Sequence, residues 1–142
     1  MTVPLRRITI KGDKCVYCGD DANSKEHFPP SSYSIGGLIL PSCLECNIIA
    51  SNKYPFDFDK RCKYVQDQIR VKYKKVLKLS DDHDLTDMDY SLVLRMAEWQ
   101  KLRDQTEKWL AWNAIDYINS IDHNSYFVQI NVAKYIFKKD ED

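Results

Sequence analysis

The segment that decides the fold runs from residue 15 to residue 47 and reads CVYCGDDANSKEHFPPSSYSIGGLILPSCLECN. It opens with Cys15 and Cys18 and closes with Cys43 and Cys46, both pairs in Cys-x-x-Cys spacing. Each such pair presents two thiolates to one metal, and tetrahedral Zn²⁺ takes four thiolates at about 2.3 Å. The spacing therefore predicts a structural zinc site without an open position for water. The alternatives are an iron–sulfur site or four buried thiols without a metal.

The whole chain has the size and composition of one globular domain. Its 142 residues are 44% hydrophobic and 30% charged, which suffices for a hydrophobic core of its own. No apolar stretch is long enough to span a bilayer, and the first residues lack the apolar segment of a signal peptide. We therefore expect a cytoplasmic protein without membrane contact, in the host cytoplasm if the chain comes from a phage. The remaining cysteine, Cys62, is expected to be a buried or half-buried free thiol in a helix.

Turn residues divide the first third of the chain into short elements, and helical periodicity marks the rest. Strands are expected at Leu5–Ile10, Glu26–Phe28 and Leu38–Leu40, followed by a helix at Leu44–Asn52. Apolar residues then recur at spacings of three and four over residues 58–79 and again over residues 89–120, where the helix runs either unbroken or with a break. We therefore expect an α+β protein. A zinc-bound module fills residues 1–56 and a helical extension fills residues 57–142, packed together as one domain.

Positive and negative charges balance over the whole chain but separate along it. There are 21 basic and 21 acidic residues, which argues against coating of nucleic acid by bulk charge. Residues 60–78 nevertheless contain eight basic side chains and one acidic one, and residues 81–89 contain five aspartates. The basic helix predicts salt-sensitive contacts to DNA phosphates, with a solvated face beside an acidic segment as the alternative. The residues predicted to contact nucleic acid are Lys53, Arg61, Lys63, Arg70, Lys72, Lys74 and Lys75.

Residues between and after the cysteine pairs complete a larger pattern. An acidic residue and His are followed closely by Pro, then by a Gly-Gly turn, and Asn stands directly after the second pair. These residues are Glu26, His27, Pro30, Gly36, Gly37 and Asn47. Together with the four cysteines, they resemble the HNH endonuclease family in its zinc-stapled form, over about residues 15–53. The resemblance implies that the module of residues 1–56 is a ββα-metal, treble-clef-like fold.

The resemblance also implies metal-dependent hydrolysis of phosphodiester bonds in DNA. In that mechanism His27 is the general base, since imidazole titrates near neutral pH. Glu26 and Asn47 hold one Mg²⁺ or Mn²⁺ through oxygen atoms, and the cation stabilises the charge that develops on the phosphate. These three residues are therefore the candidate catalytic site. Ser51, one helical turn after Asn47, is a weaker candidate ligand.

Two departures from the family pattern support a different interpretation. Residues 37–40 lack the Asn that family members usually carry in the second strand, and the acidic residue is Glu where Asp is commoner. An inactive HNH-like zinc module would instead bind a protein or nucleic acid, or serve in an assembly. His27 would then be a structural histidine, and Asn47 would cap the helix that follows the second cysteine pair.

The second helical stretch contains a cluster of tryptophans. At helical spacing, core packing is the ordinary explanation, and Tyr64 and Tyr73 on the preceding helix are interpreted in the same way. The alternative is an interface with a second copy or with another protein, where Trp is enriched. His83 and His123 lie in polar surroundings and are expected to be exposed. The tryptophans are Trp99, Trp109 and Trp112.

Overall fold

The chain forms a small sheet followed mainly by helices. The computed structural model describes residues 7–34, 36–78 and 90–128, with the side chains of residues 90–94 excepted. The strands are β1 (Arg7–Thr9), β2 (Ser24–Phe28) and β3 (Gly37–Ser42). The helices are α1 (Leu44–Ala50), α2 (Phe58–Lys72), α3 (Lys74–Leu77), α4 (Tyr90–Ala111) and α5 (Ala114–Ile121). The predicted mixed α+β class is therefore confirmed.

The sheet has the strand order β1-β3-β2, so β2 is an edge strand. β2 and β3 are antiparallel and pair Glu26 with Leu40 and His27 with Ile39, whereas β1 runs parallel to β3. Side chains alternate between the two faces of a strand. We call the face that carries Glu26 and Leu40 the inner face, and the one that carries His27 and Ile39 the outer face. Glu26 and His27, although adjacent in sequence, thus point in opposite directions.

The inner face of the sheet packs against the start of α2. Phe28 and Phe58 are both buried, and their rings meet edge to face with centroids 5.1 Å apart. Val65 and Ile69 continue the buried stripe of α2 at helical spacing. Phe127 closes the core from the other end of the chain, with its ring centroid 4.9 Å from that of Phe58. The cysteine-rich part and the helical part therefore share one hydrophobic core.

Both helical stretches that the periodicity predicts are interrupted. The first ends at Lys72, and α3 begins only after Tyr73, so a continuous helix over residues 58–79 is a wrong prediction. The second ends at Ala111, and the Asn113 side chain then caps α5 by accepting a hydrogen bond from the Asp116 N–H at 3.1 Å. A capping residue inside a helical pattern thus explains the second break.

Two predicted segments lie outside the described residues. They are the acidic segment 81–89, which includes His83, and the last residues, 129–142. His123 is exposed, as expected. Within the described part of the chain, no helix combines the length and the apolar character that crossing a membrane requires.

Candidate functional site

The four cysteines of the two pairs converge on one point. Their Sγ atoms all lie within 4.8 Å of one another, and those of Cys18 and Cys43 are 3.8 Å apart. A tetrahedral ion with metal–sulfur distances of about 2.3 Å requires sulfur atoms roughly 3.8 Å apart. This four-cysteine cluster (Cys15, Cys18, Cys43 and Cys46) can therefore hold a structural metal such as zinc.

The electrostatics of the four-cysteine cluster also fit a bound cation. Hydrogen bonds from the neighbouring thiols, first of all Cys18, lower the pKa of Cys15. Contacts with the other thiols, first of all Cys15, raise the pKa of Cys46. Four thiols that face one another therefore do not ionise together unaided, and a divalent cation supplies the charge that allows them to. Across the described residues, no other group of His, Cys, Asp or Glu side chains comes close enough to hold a metal.

Backbone hydrogen bonds fix the first and third thiols in place. The Tyr17 N–H donates to Cys15 Sγ, and the Cys46 N–H donates to Cys43 Sγ, both at 3.4 Å. The second of these bonds makes Cys43 the N-cap of α1. The turn of each Cys-x-x-Cys pair thus orients its sulfur atoms before any metal is added.

Gly19, directly after the first cysteine pair, meets two independent demands. Its φ of +81° lies in the left-handed region, where residues with a Cβ are disfavoured. A Cβ at this position would also lie 2.3 Å from the ring of Trp112. The Trp112 indole N–H donates to the Val16 carbonyl at 3.2 Å, so the junction of α4 and α5 is fastened to the first cysteine pair.

The tryptophans divide into two that pack inside and one that does not. Trp109 packs against the core and lines, with Cys18, Cys43 and Cys46, a cavity of about 20 Å³ that has room for one water molecule. Core packing is thus confirmed for Trp109. Of the three tryptophans, Trp99 is the one left for contact with a partner, with 45% of its surface exposed.

A second polar group lies in the same core. Arg61 Nη2 is 3.0 Å from Glu26 Oε2, and the Tyr17 hydroxyl donates to the same oxygen at 2.8 Å. Arg61 Nε in turn donates to the Tyr17 hydroxyl at 2.9 Å. Glu26 is 3% exposed and Arg61 is 0% exposed. We call these three residues the buried ion-pair network.

The remaining donors of Arg61 hold the chain that follows α1. Nη1 donates to the Lys53 carbonyl at 2.6 Å, and Nη2 donates to the Ser51 carbonyl at 2.7 Å. The guanidinium is thus fully engaged inside the protein. The prediction that Arg61 contacts nucleic acid is therefore wrong, because a group without exposed surface cannot meet a phosphate.

The buried ion-pair network also limits what Glu26 can do. Burial raises the pKa of Glu26, while Arg61 and Tyr17 favour its ionised form. A divalent cation on this carboxylate would face the Arg61 guanidinium, which lies 3.0 Å from Glu26. Taking Glu26 out of the pair would leave an unpaired buried charge, at a cost of about 3–5 kcal/mol. This arrangement contradicts the predicted role of Glu26 as a ligand of a catalytic cation.

His27 lies on the outer face, on the opposite side of β2 from Glu26. Its imidazole is half-buried and has no hydrogen-bond partner among the described residues. Burial, and then the positive charges of Arg7 and Lys25, lower the pKa of His27. The ring is therefore neutral at pH 7 and able to accept a proton.

Asn47 is bound to the edge of the sheet. Its Nδ2 donates to the Ser24 hydroxyl at 2.9 Å and to the Lys25 carbonyl at 2.8 Å. Because β2 is an edge strand, these bonds hold α1 against a backbone edge that is otherwise open. The amide nitrogen of Asn47 is thus engaged in hydrogen bonds within the protein, and only its amide oxygen is left to bind a ligand. Ser51 is exposed at the end of α1.

The other residues predicted to contact nucleic acid are exposed. Asp67 lies 3.2 Å from both Lys63 and Arg70, and Glu45 lies 3.2 Å from Lys72. Exposed pairs of this kind contribute about 0–1 kcal/mol, so these cations remain available to a phosphate. Of these predicted residues, Lys53, Lys74 and Lys75 make no ion pair to a described residue.

Sequence reasoning missed Tyr17 and misplaced Arg61. A signal for Arg61 is present, because it stands three residues after Phe58 and four before Val65, on the buried stripe of α2. Because Arg61 stands among other basic residues, an interpretation by charge alone places it on the exposed surface with them. No comparable signal marks Tyr17, whose partners lie in distant segments.

Comparison with known proteins identifies no relative from which a function could be transferred. No protein-family model, curated protein or solved structure matches the chain.

Proposed function

We propose that this chain is a zinc-stabilised, HNH-like module that binds nucleic acid without hydrolysing it. The observation that carries the proposal is the buried ion pair between Glu26 and Arg61. In an HNH-type nuclease the acidic residue would hold the cation. Here the carboxylate of Glu26 is buried in the core and paired with Arg61. The succession of β2, β3 and α1 around the four-cysteine cluster supports the HNH-like layout.

The exposed basic side chains support nucleic acid as the partner. They lie on α2 and α3 and on the turn before them, and their acidic neighbours are weak surface partners. Because basic and acidic residues balance over the chain, binding depends on this local surface and weakens as salt screens it. The basic surface consists of Lys53, Lys63, Arg70, Lys72, Lys74 and Lys75.

The proposed binding of nucleic acid is tested by fluorescence anisotropy of labelled DNA, single-stranded and duplex, over a series of salt concentrations. Replacing Lys74 and Lys75 by Gln is expected to lower the salt slope of log K on duplex DNA by about 2, since about 0.9 counterions are released per phosphate neutralised. The matched control replaces Lys101 and Lys108 of α4, which are also exposed, by Gln. Equal effects of the two double variants would contradict the assigned surface.

The proposed lack of DNA hydrolysis is tested with supercoiled plasmid in the presence of Mg²⁺ or Mn²⁺. The zinc-loaded chain is expected to cleave no faster than its His27→Ala variant. Cleavage by the wild type that His27→Ala abolishes would reject the proposal and establish a nuclease.

That nuclease is the second candidate, and the state of His27 favours it. The imidazole is neutral at pH 7, lacks a partner among the described residues and lies on the same strand that Asn47 binds. His27 would then be the general base, and Mg²⁺ or Mn²⁺ would bind through the Asn47 oxygen, phosphate and water without Glu26. The plasmid assay decides between the two candidates.

A further inference from the structure

Two exposed tyrosines lie on neighbouring turns beside the start of α2. Tyr33 is 42% exposed and Tyr54 is 47% exposed, and neither hydroxyl makes a hydrogen bond to a described residue. The Ser32 hydroxyl donates to Asn52 Oδ1 at 3.4 Å, so the two turns are in contact. Single exposed aromatic residues are ordinary on protein surfaces, but two on adjoining turns form a local aromatic surface.

Each of these tyrosines packs against a second aromatic ring. Tyr33 meets the buried Phe56 edge to face, with ring centroids 5.6 Å apart. Tyr54 meets Tyr64 of α2 in the same way, with ring centroids 6.0 Å apart. An edge-to-face contact uses only part of a ring, and the rest of both tyrosines is open to solvent. Each ring is therefore oriented by a neighbour and still has surface for a further planar group.

Hydrogen bonds hold the backbone around Tyr54 in one conformation. Arg61 donates to the carbonyls of Ser51 and Lys53 at 2.7 and 2.6 Å. The Asp57 N–H donates to the Tyr54 carbonyl at 3.3 Å. Ser51 and Tyr54 have φ of +41° and +48°, in the left-handed region that residues with a Cβ seldom adopt. Because such a backbone persists only where its surroundings impose it, the turn presents Lys53 and Tyr54 at a reduced entropy cost on binding.

Exposed lysines adjoin the two tyrosines. Lys53 directly precedes Tyr54, and Lys60 lies one helical turn before Tyr64, whose ring Tyr54 contacts. Neither lysine makes an ion pair to a described residue, so both charges are available to phosphate groups. Asp59, exposed on α2, offsets part of this charge. The electrostatic attraction is therefore modest, and tight binding at this surface depends on the aromatic rings as well.

Unpaired nucleic-acid bases are planar groups that fit exposed aromatic rings beside cations. In a single strand the bases can turn toward the protein and stack on such rings, while the phosphates meet the lysines. In duplex DNA the bases are already paired and stacked on one another, so their faces are not accessible. A surface of this kind therefore distinguishes a single strand from a duplex.

We propose that the tyrosine surface, formed by Tyr33, Tyr54, Lys53 and Lys60, binds single-stranded nucleic acid by stacking bases on its two tyrosine rings. The proposal deepens the proposed function by naming the form of nucleic acid, and it rests on that function. A DNA strand and an RNA strand present the same kinds of bases and phosphates, so the test contains both.

The test is fluorescence anisotropy of the full zinc-loaded chain with labelled strands of equal length. The strands are oligothymidylate, oligouridylate and an abasic DNA strand, which keeps the phosphates and lacks the bases. Tyr54→Leu is expected to weaken binding of the two base-bearing strands about fivefold to tenfold, toward the lower end of what one stacked base contributes. Binding of the abasic strand should not change. Tyr54→Phe keeps the aromatic ring and is expected to bind every strand as the wild type does.

Tyr33→Leu is expected to show the same selective loss. The matched control is Trp99→Leu, at an aromatic residue of similar exposure on α4, and it should leave binding unchanged. Equal affinity of the wild type for base-bearing and abasic strands, or equal losses for Tyr54→Leu and Trp99→Leu, would overturn the stacking and leave the proposed function standing. Absence of binding to every strand and to duplex DNA would reject the proposed function and this inference with it.

Discussion

The four-cysteine cluster and the buried ion-pair network are two polar centres in one core. Tyr17 connects them, because it stands between Cys15 and Cys18 and binds Glu26. The charges of the network balance within it, because the Arg61 guanidinium pairs with the Glu26 carboxylate. Backbone carbonyls accept hydrogen bonds from the remaining donors of Arg61. The four thiols of the cysteine cluster are placed so that they could hold a metal ion, which would supply the positive charge there. Stability would therefore depend on a bound metal at the four-cysteine cluster, whereas in the buried ion-pair network it depends on the Arg61 side chain.

The largest effect is expected at the four-cysteine cluster. Cys46→Ser, or removal of zinc by a chelator, is expected to unfold the chain, because structural zinc contributes about 10–16 kcal/mol in small zinc domains, more than most domains have in total. Circular dichroism and the zinc content per chain measure the outcome. Cys62→Ser is the matched control, since Cys62 lies outside the cluster. A Cys46→Ser chain that keeps one zinc and its melting temperature would contradict this assignment.

The next largest effect is expected in the buried ion-pair network. Arg61→Met leaves the Glu26 carboxylate buried and unpaired, and we expect the free energy of unfolding to fall by about 3–5 kcal/mol. Denaturant unfolding of the zinc-loaded chain measures this fall. The exposed Arg70→Met serves as the control and should change it by less than about 0.5 kcal/mol.

A double variant separates the contribution of the ion pair to stability from that of the hydrogen bonds between Arg61 and the backbone carbonyls. Glu26→Leu combined with Arg61→Met is expected to recover part of the loss, because no charge is then left unpaired. Recovery stays partial because the carbonyls of Ser51 and Lys53 lose their donor. A double variant no more stable than Arg61→Met would show that the carbonyl bonds, and not the ion pair, dominate.

The smallest effect is expected at the residue that joins the two centres. Burial raises the pKa of Tyr17, so its hydroxyl stays protonated and donates to Glu26. Tyr17→Phe removes this bond and the one from Arg61, and should lower the free energy of unfolding by about 2 kcal/mol without loss of zinc. Tyr64→Phe, whose hydroxyl makes no hydrogen bond to a described residue, is the control in the same denaturation experiment. A loss of zinc in Tyr17→Phe would mean that the two centres are not separable.

The same two centres explain what the sequence could predict. The cysteine cluster follows from spacing within two short turns, so the sequence is sufficient to predict it. The partner of Glu26 stands 35 residues away, and only the packing of α2 on the sheet decides that Arg61 meets it. Strand alternation separates Glu26 from His27, but which of them faces the core depends on the register with β3. The convergence of the four cysteines was therefore predictable from the sequence, and the positions of Glu26 and His27 relative to the core were not.

The contact between Gly19 and Trp112 has a consequence for how related chains can diverge. The left-handed backbone demands Gly, or less favourably Asn, at position 19, and the indole ring demands that no Cβ be present there at all. In a chain with a smaller residue in place of Trp112, a Cβ at position 19 no longer meets the indole ring, but the left-handed backbone still disfavours it. In descendants of this fold we therefore expect the two positions to change together, with Asn at the first appearing only after the indole at the second is lost.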